Sequence, residues 1–265
     1  MPAVERPNEI EVHWEDRGRG PAVLIVHQLL WSYPQVYLEL IGDLAADHRV
    51  VTYDPRGCGA STREGPYDTE TDASDLLGVA EAVGGGATAM TVGYGFNLAA
   101  RVGAKRPDLI PTVASVQPAA AAMLPRSELR ESDVMAASDS VMELLLGMLK
   151  GDPRTALRTI LAATNPEMGA DEVRDRVDRV TEYMDQRAAR DRAEAWIADD
   201  PSEHARALGD RLWIVHSGPE HLFEGTLAAR VAELYPEAHI EQLEGGPISQ
   251  PGRYAERIRR LVKAA

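Results

Sequence analysis

The chain has 265 residues, 44% apolar and 26% charged, with a formal net charge of -14 and one cysteine, Cys58. That length suits one large domain or a core with an insertion, and it buries a sizeable core without cross-links. A lone cysteine excludes an internal disulfide framework and any cysteine-rich zinc site, and the acidity argues against a nucleic-acid partner. Met1 to Asn8 holds no apolar stretch, and no run approaches the roughly 18 apolar residues of a membrane span, so a cytoplasmic globule with no membrane partner is expected.

Ala22 to Val26 is a short apolar run that reads as a buried strand. From Pro34 to Asp47, residues Val36, Leu38, Leu40, Ile41 and Leu44 recur at near-helical spacing. Arg49 to Tyr53 is the next strand, stopped by Asp54-Pro55 and the pair Gly57 and Gly59. A helix is predicted from Thr69 to Val83, ended by Gly84-Gly85-Gly86. A strand from Ala87 to Val92, the turn Gly93-Tyr94-Gly95, a helix to Arg106 and a strand from Thr112 to Val116 follow. This alternation predicts a parallel sheet with helices on both faces.

The pattern stops near Pro118 and resumes at Leu212 to Val215, with helical signals and no convincing strand between. Met135, Met142 and Met148 form an apolar stripe there, read first as packing and second as pocket lining. Val173, Val177, Val180 and Met184 share one helix face, with Glu172/Arg176 and Asp175/Arg179 as exposed pairs. A helix at Glu224 to Leu234, a strand at His239 to Leu243 and a helix at Arg253 to Lys263 complete the chain.

Val26-His27-Gln28, the run Tyr53-Asp54-Pro55-Arg56-Gly57-Cys58-Gly59-Ala60-Ser61, and Arg106-Pro107-Asp108 resemble the α/β-hydrolase family over nearly the whole chain apart from the insertion. The resemblance implies an α/β fold: a mostly parallel sheet with helices on both faces and a helical cap inserted after the sixth strand. The core is then 1–118 and 209–265, and the cap is 119–208. In active relatives Asp54, Arg56 and Ser61 correspond to residues that order the loop after their strand.

The family's chemistry needs a nucleophile on a tight strand-turn-helix with small residues two positions either side. Two registers place a glycine there, either Gly93 in Thr91 to Gly95 or Gly95 in Gly93 to Asn97. The first is favoured by its distance to Arg106-Pro107. A third register makes Tyr94 the nucleophile, flanked by Val92 and Phe96, which are too bulky for the turn. The family's histidine corresponds to Pro247 in Leu243 to Ser249, and its acid corresponds best to Glu220. A serine-histidine-acid triad is therefore not expected.

The cavity outlives the triad. The resemblance places oxyanion N–H groups near Tyr94 and near Gln28 or Leu29, and gathers His27, Gln28, Tyr94, Glu220, His221 and Ser249 at one rim. Tyr94, Glu220, His221 and His27 are the candidate acid–base residues. Gln28, Leu29, Trp31, Tyr33, Gly93, Gly95 and Ser249 are the candidate ligand-binding residues. Each has a plainer role: His27 can bond loop backbone, Tyr94 can fill the space a nucleophile would use, and His221 can face solvent. Cys58 lacks a nearby sequence partner and reads as inert.

His216, Glu220 and His221 suggest metal ligation, but Gly218-Pro219 breaks any helix that would put them on one face. Gly93-x-Gly95 suggests a dinucleotide fingerprint, but Leu98 stands at the third glycine and Gln117 ends the next strand. No metal or cofactor is expected. Three functions remain open: a cofactor-free, non-hydrolytic enzyme on a small, partly apolar molecule; a non-catalytic relative that binds a ligand or a partner protein; and a hydrolase with relocated catalytic groups. The gathering of Trp31, Tyr33 and Tyr94 tips the reading to the first. A homodimer is compatible with all three.

Overall fold

The computed structural model describes residues 2–6, 9–27, 34–116, 118, 123–126, 150–164, 168–216, 225–248 and 250–264. Eight strands form one sheet in the order β1-β2-β4-β3-β5-β6-β7-β8. They are β1 (Ala3–Arg6), β2 (Ile10–Arg17), β3 (Ala22–Val26), β4 (Arg49–Tyr53), β5 (Thr88–Val92), β6 (Thr112–Val116), β7 (Leu212–His216) and β8 (His239–Gln242). β4, β3, β5, β6, β7 and β8 run parallel, and β1 and β2 are antiparallel.

The central strands are continuous apolar runs because helices cover both of their faces. β3 and β5 are buried along almost their whole length, with register Val23↔Thr88 through Val26↔Thr91. β1 and β2 are an addition to the sequence reading, which begins the sheet at Ala22. Ile10 and Val12 are buried while Glu11 is exposed, a two-residue period hidden among charges.

Helices α1 (Leu38–Leu44) and α9 (Pro251–Ala264) cover one face. Leu40, Leu44, Tyr254, Ile258 and Leu261 pack there with Val23 and Ile25. α2 (Thr69–Val83) and α3 (Gly95–Lys105) cover the other, where Leu76, Val79, Leu98 and Val102 meet Leu24, Val26 and Val113. α2 starts where Asp68 accepts from Thr71 N–H at 2.8 Å and ends at Gly84 with φ +99°.

Between β6 and β7 lie α4 (Pro153–Thr164), α5 (Ala170–Tyr183), α6 (Gln186–Ala198) and α7 (Ser202–Leu208), with no strand among the described residues. Val173, Val177 and Val180 of α5 form a cluster with Leu157 and Leu161 of α4, while Met184, expected on the same face, lies past the helix end and packs with Cys58 and Ala189. Glu172 and Arg176 pair on its surface. Met135, Met142 and Met148 lie outside the described residues. α8 (Gly225–Leu234) returns the chain to β8. Among the described residues no helix is long and apolar enough to cross a membrane.

Candidate functional site

Parallel α/β sheets bind ligands beyond the carboxyl ends of their strands. Here β3, β4 and β5 end side by side in His27, Asp54 and Gly93. β5 turns into α3 through Thr91-Val92-Gly93-Tyr94-Gly95. Gly93 takes φ +53°, the left-handed region that favours glycine. Its carbonyl accepts from Phe96 N–H and that of Tyr94 from Asn97 N–H, each at 3.0 Å, so the chain becomes helical at once. A Cβ on Gly95 would stand 2.1 Å from the Val26 carbonyl oxygen, so only glycine lets α3 start this close to β3. The tip of the turn is Gly93, the first of the two registers read from the sequence.

Tyr94 is fully buried in the main core, its ring 6.2 Å from that of Trp196 on α6. Its hydroxyl donates to Thr69 Oγ1 at 2.7 Å, at the start of α2. Burial holds that hydroxyl well above the usual phenol range. The side chain thus runs under α6 toward α2. His27 is also fully buried, with its ring 6.5 Å from Tyr53 and 6.1 Å from Tyr183. Gly93, at the turn tip, is half-buried.

The loop after β4 is ordered by its own motif. Asp54 accepts from Ala60 N–H at 3.0 Å and from the Tyr183 hydroxyl at 2.9 Å, while Ser61 Oγ donates to the Asp54 carbonyl at 2.5 Å. A Cβ on Gly59 would strike Asp54 Oδ2 at 2.2 Å, which is why the loop can wrap its carboxylate. Arg56 donates twice to Asp75, at 2.6 and 2.7 Å. Cys58 is fully buried, and burial pushes its thiol up to about 12, so it holds no thiolate.

The sequence did not disclose the partners that the cap supplies. Arg192 on α6 is fully buried and donates twice to Asp72 at 2.7 Å and once to the Arg56 carbonyl at 2.7 Å. Burial alone would lower its pKa, but the charge of Asp72 reverses this and holds it protonated. Asp199 accepts from Arg101 and from Asn97, both on α3. One signal was available: Asp72 and Asp75 lie on the same face of α2 as Leu76 and Val79, and carboxylates on an apolar stripe call for buried cations.

After β8, Gly245 turns with φ +73°, its carbonyl accepts from the Tyr254 hydroxyl at 2.8 Å, and Pro247 is buried. Gln28, Leu29, Trp31, Tyr33, Glu220, His221 and Ser249 lie outside the described residues; of the described ones, His27 and Gly93 follow the paired strands β3 and β5, while the Tyr94 side chain lies in the core.

A sheet in this order, with a strand-turn-helix at the end of β5 and a helical segment after β6, defines an α/β-hydrolase-type protein. The family described as alpha/beta hydrolase fold matches residues 21–177, more than half of the chain, and this protein belongs to it. A Synechocystis sp. protein provisionally named a non-heme chloroperoxidase is 34% identical over 73 residues, which are 27% of this chain and 26% of that relative. The chain therefore matches about a quarter of that relative's length. Among solved structures, E-2-(acetamidomethylene)succinate hydrolase superposes with a TM-score of 0.76 at 19% identity, covering 99% of this chain and 98% of that one. Bromoperoxidase from Bacillus anthracis gives 0.78 at 18%, covering 98% of each chain. The enol-lactonase from Burkholderia xenovorans LB400 gives 0.73 at 18%, covering 99% of this chain and 100% of that one. At these identities the likeness is one of fold.

Proposed function

We propose that this protein binds a small, partly apolar organic molecule at the carboxyl edge of its sheet. It then transforms that molecule without a covalent acyl-enzyme, by proton transfer and backbone stabilisation of a developing oxyanion. The observation that carries this reading is Gly93: the turn keeps the tight geometry of a nucleophile elbow, with φ +53° and Gly95 against β3, yet offers no side chain to attack with. Buried Pro247, where the resemblance expects the base histidine, adds support, because proline neither takes nor gives a proton. The helix N-terminus at α3 still supplies backbone donors for an oxygen that gains charge. The reading needs no cofactor. The names of the relatives, peroxidase, lactonase and hydrolase, do not converge on one substrate.

A second reading is a relative that binds a ligand without changing it. Tyr94 favours it, since its hydroxyl is engaged by Thr69.

The test is untargeted. The purified protein is incubated with a small-molecule extract of its host and compared by mass spectrometry with heat-killed protein, alongside a fluorophosphonate probe. A substrate-product pair with no probe labelling supports the first reading, and its mass difference names the reaction. A compound retained unchanged overturns catalysis in favour of binding. Labelling that disappears on mutation of one serine overturns both.

A further inference from the structure

The corner where α5 turns into α6 is joined to the core by main chain as well as side chains. Asp185 N–H donates to the Gly57 carbonyl and Gly59 N–H to the Tyr183 carbonyl, both at 2.8 Å, and Cys58 and Met184 pair as an antiparallel bridge. The contact is backbone-close: a Cβ on Gly57 would lie 2.7 Å from that of Ala188. Polar bonds fasten each part of this segment, fully buried ones at Arg192 and half-buried ones at Tyr183 and Asp199. Tyr183 donates to Asp54 before the corner, Arg192 grips Asp72 and the Arg56 carbonyl along α6, and Asp199 takes Arg101 and Asn97 after it.

A lid must part from what it covers at modest cost, with few buried bonds to break. Lifting this corner would break a strand-like junction and give up the three buried bonds of Arg192 at once. It would also withdraw Trp196 from Tyr94, the residue after the turn tip.

We infer that the α5–α6 corner of the cap is a fixed clamp on the turn after β5 and the loop after β4, and that small molecules reach and leave the carboxyl edge of the sheet without its opening. The clamp stands whether or not the proposed chemistry does.

Hydrogen exchange of the full chain tests it, read at the amides of Gly59 and Asp185 against those of β5. Exchange at the two amides within about a hundredfold of the slowest β5 amides supports the clamp. Exchange more than about a hundredfold faster, with β5 still protected, overturns it and makes the corner a lid. Arg192→Met is expected to speed both amides by at least about tenfold, and rates at Gly59 and Asp185 that do not change overturn the clamp. If that variant does not fold, Tyr183→Phe, which removes one hydroxyl, is read by the same comparison.

Discussion

Replacing Arg192 with methionine keeps the bulk and the aliphatic stem of the side chain and removes its charge. The guanidinium is fully buried, makes two bonds to Asp72 and one to the Arg56 carbonyl, and lies 5.3 Å over the Tyr67 ring. The neighbouring Arg56 is already engaged by Asp75 through two hydrogen bonds. The variant leaves a carboxylate, 2% exposed, without its counter-charge. Removing one partner of such a pair costs about 3–5 kcal/mol, a large part of a typical total stability of roughly 5–15 kcal/mol.

The sign of the pH dependence follows from the same group. Burial raises the pKa of Asp72, and Arg192 opposes that rise. Without Arg192, burial and the charge of Asp75 raise that pKa against the weaker pull of Arg56, and the folded state of the variant binds a proton that the unfolded chain has already released. Stability of the variant is then greatest below the unfolded pKa of Asp72 and falls as pH rises toward the raised folded value, by up to about 1.4 kcal/mol per pH unit. Urea unfolding at pH 5 and pH 8 measures this directly. The deficit relative to the unaltered protein should be smaller at pH 5, and adding Asp72→Asn should recover much of the loss at pH 8. A deficit below about 1 kcal/mol at pH 8 would refute the reasoning, as would one that ignores pH or the second substitution.

Two shorter predictions concern glycine and cysteine. Gly95→Ala must push α3 away from the Val26 carbonyl, so it should destabilise the fold by about 3 kcal/mol by denaturant titration, and a neutral effect would mean the turn is looser than described. Cys58, with its thiol at about 12, should resist a disulfide-exchange reagent at pH 8 in the native protein and react as one thiol per chain in denaturant. Prompt native reaction would show that the loop after β4 opens.

Much of this architecture was legible as local pattern. The central strands announce themselves as short apolar runs because helices cover both their faces, and α2 carries its own start and stop in Asp68 and Gly84. The run Tyr53 to Ser61 specifies much of its own loop, with Asp54, Gly59 and Ser61 bonded or packed against one another within eight residues. The turn itself was legible, but its tip was open between Gly93 and Gly95, with Gly93 favoured by its distance to Arg106-Pro107; φ +53° at Gly93 marks the bend.

Other features have no local signature. β1 and β2 are polar strands at a sheet edge; they pair with each other locally, but β2 joins the sheet only through β4, far along the chain. Tyr94 could have faced a pocket or the core, and only Thr69, 25 residues earlier, and Trp196 on the cap decide that it faces inward. Arg192 meets Asp72 across 120 residues of sequence. Short-range patterns fix backbone shape because each residue's dihedral choices and one-sided burial are set by its neighbours. Which charge meets which, and whether a cap is clamped or free, depends on distances that exist only after the sheet has assembled.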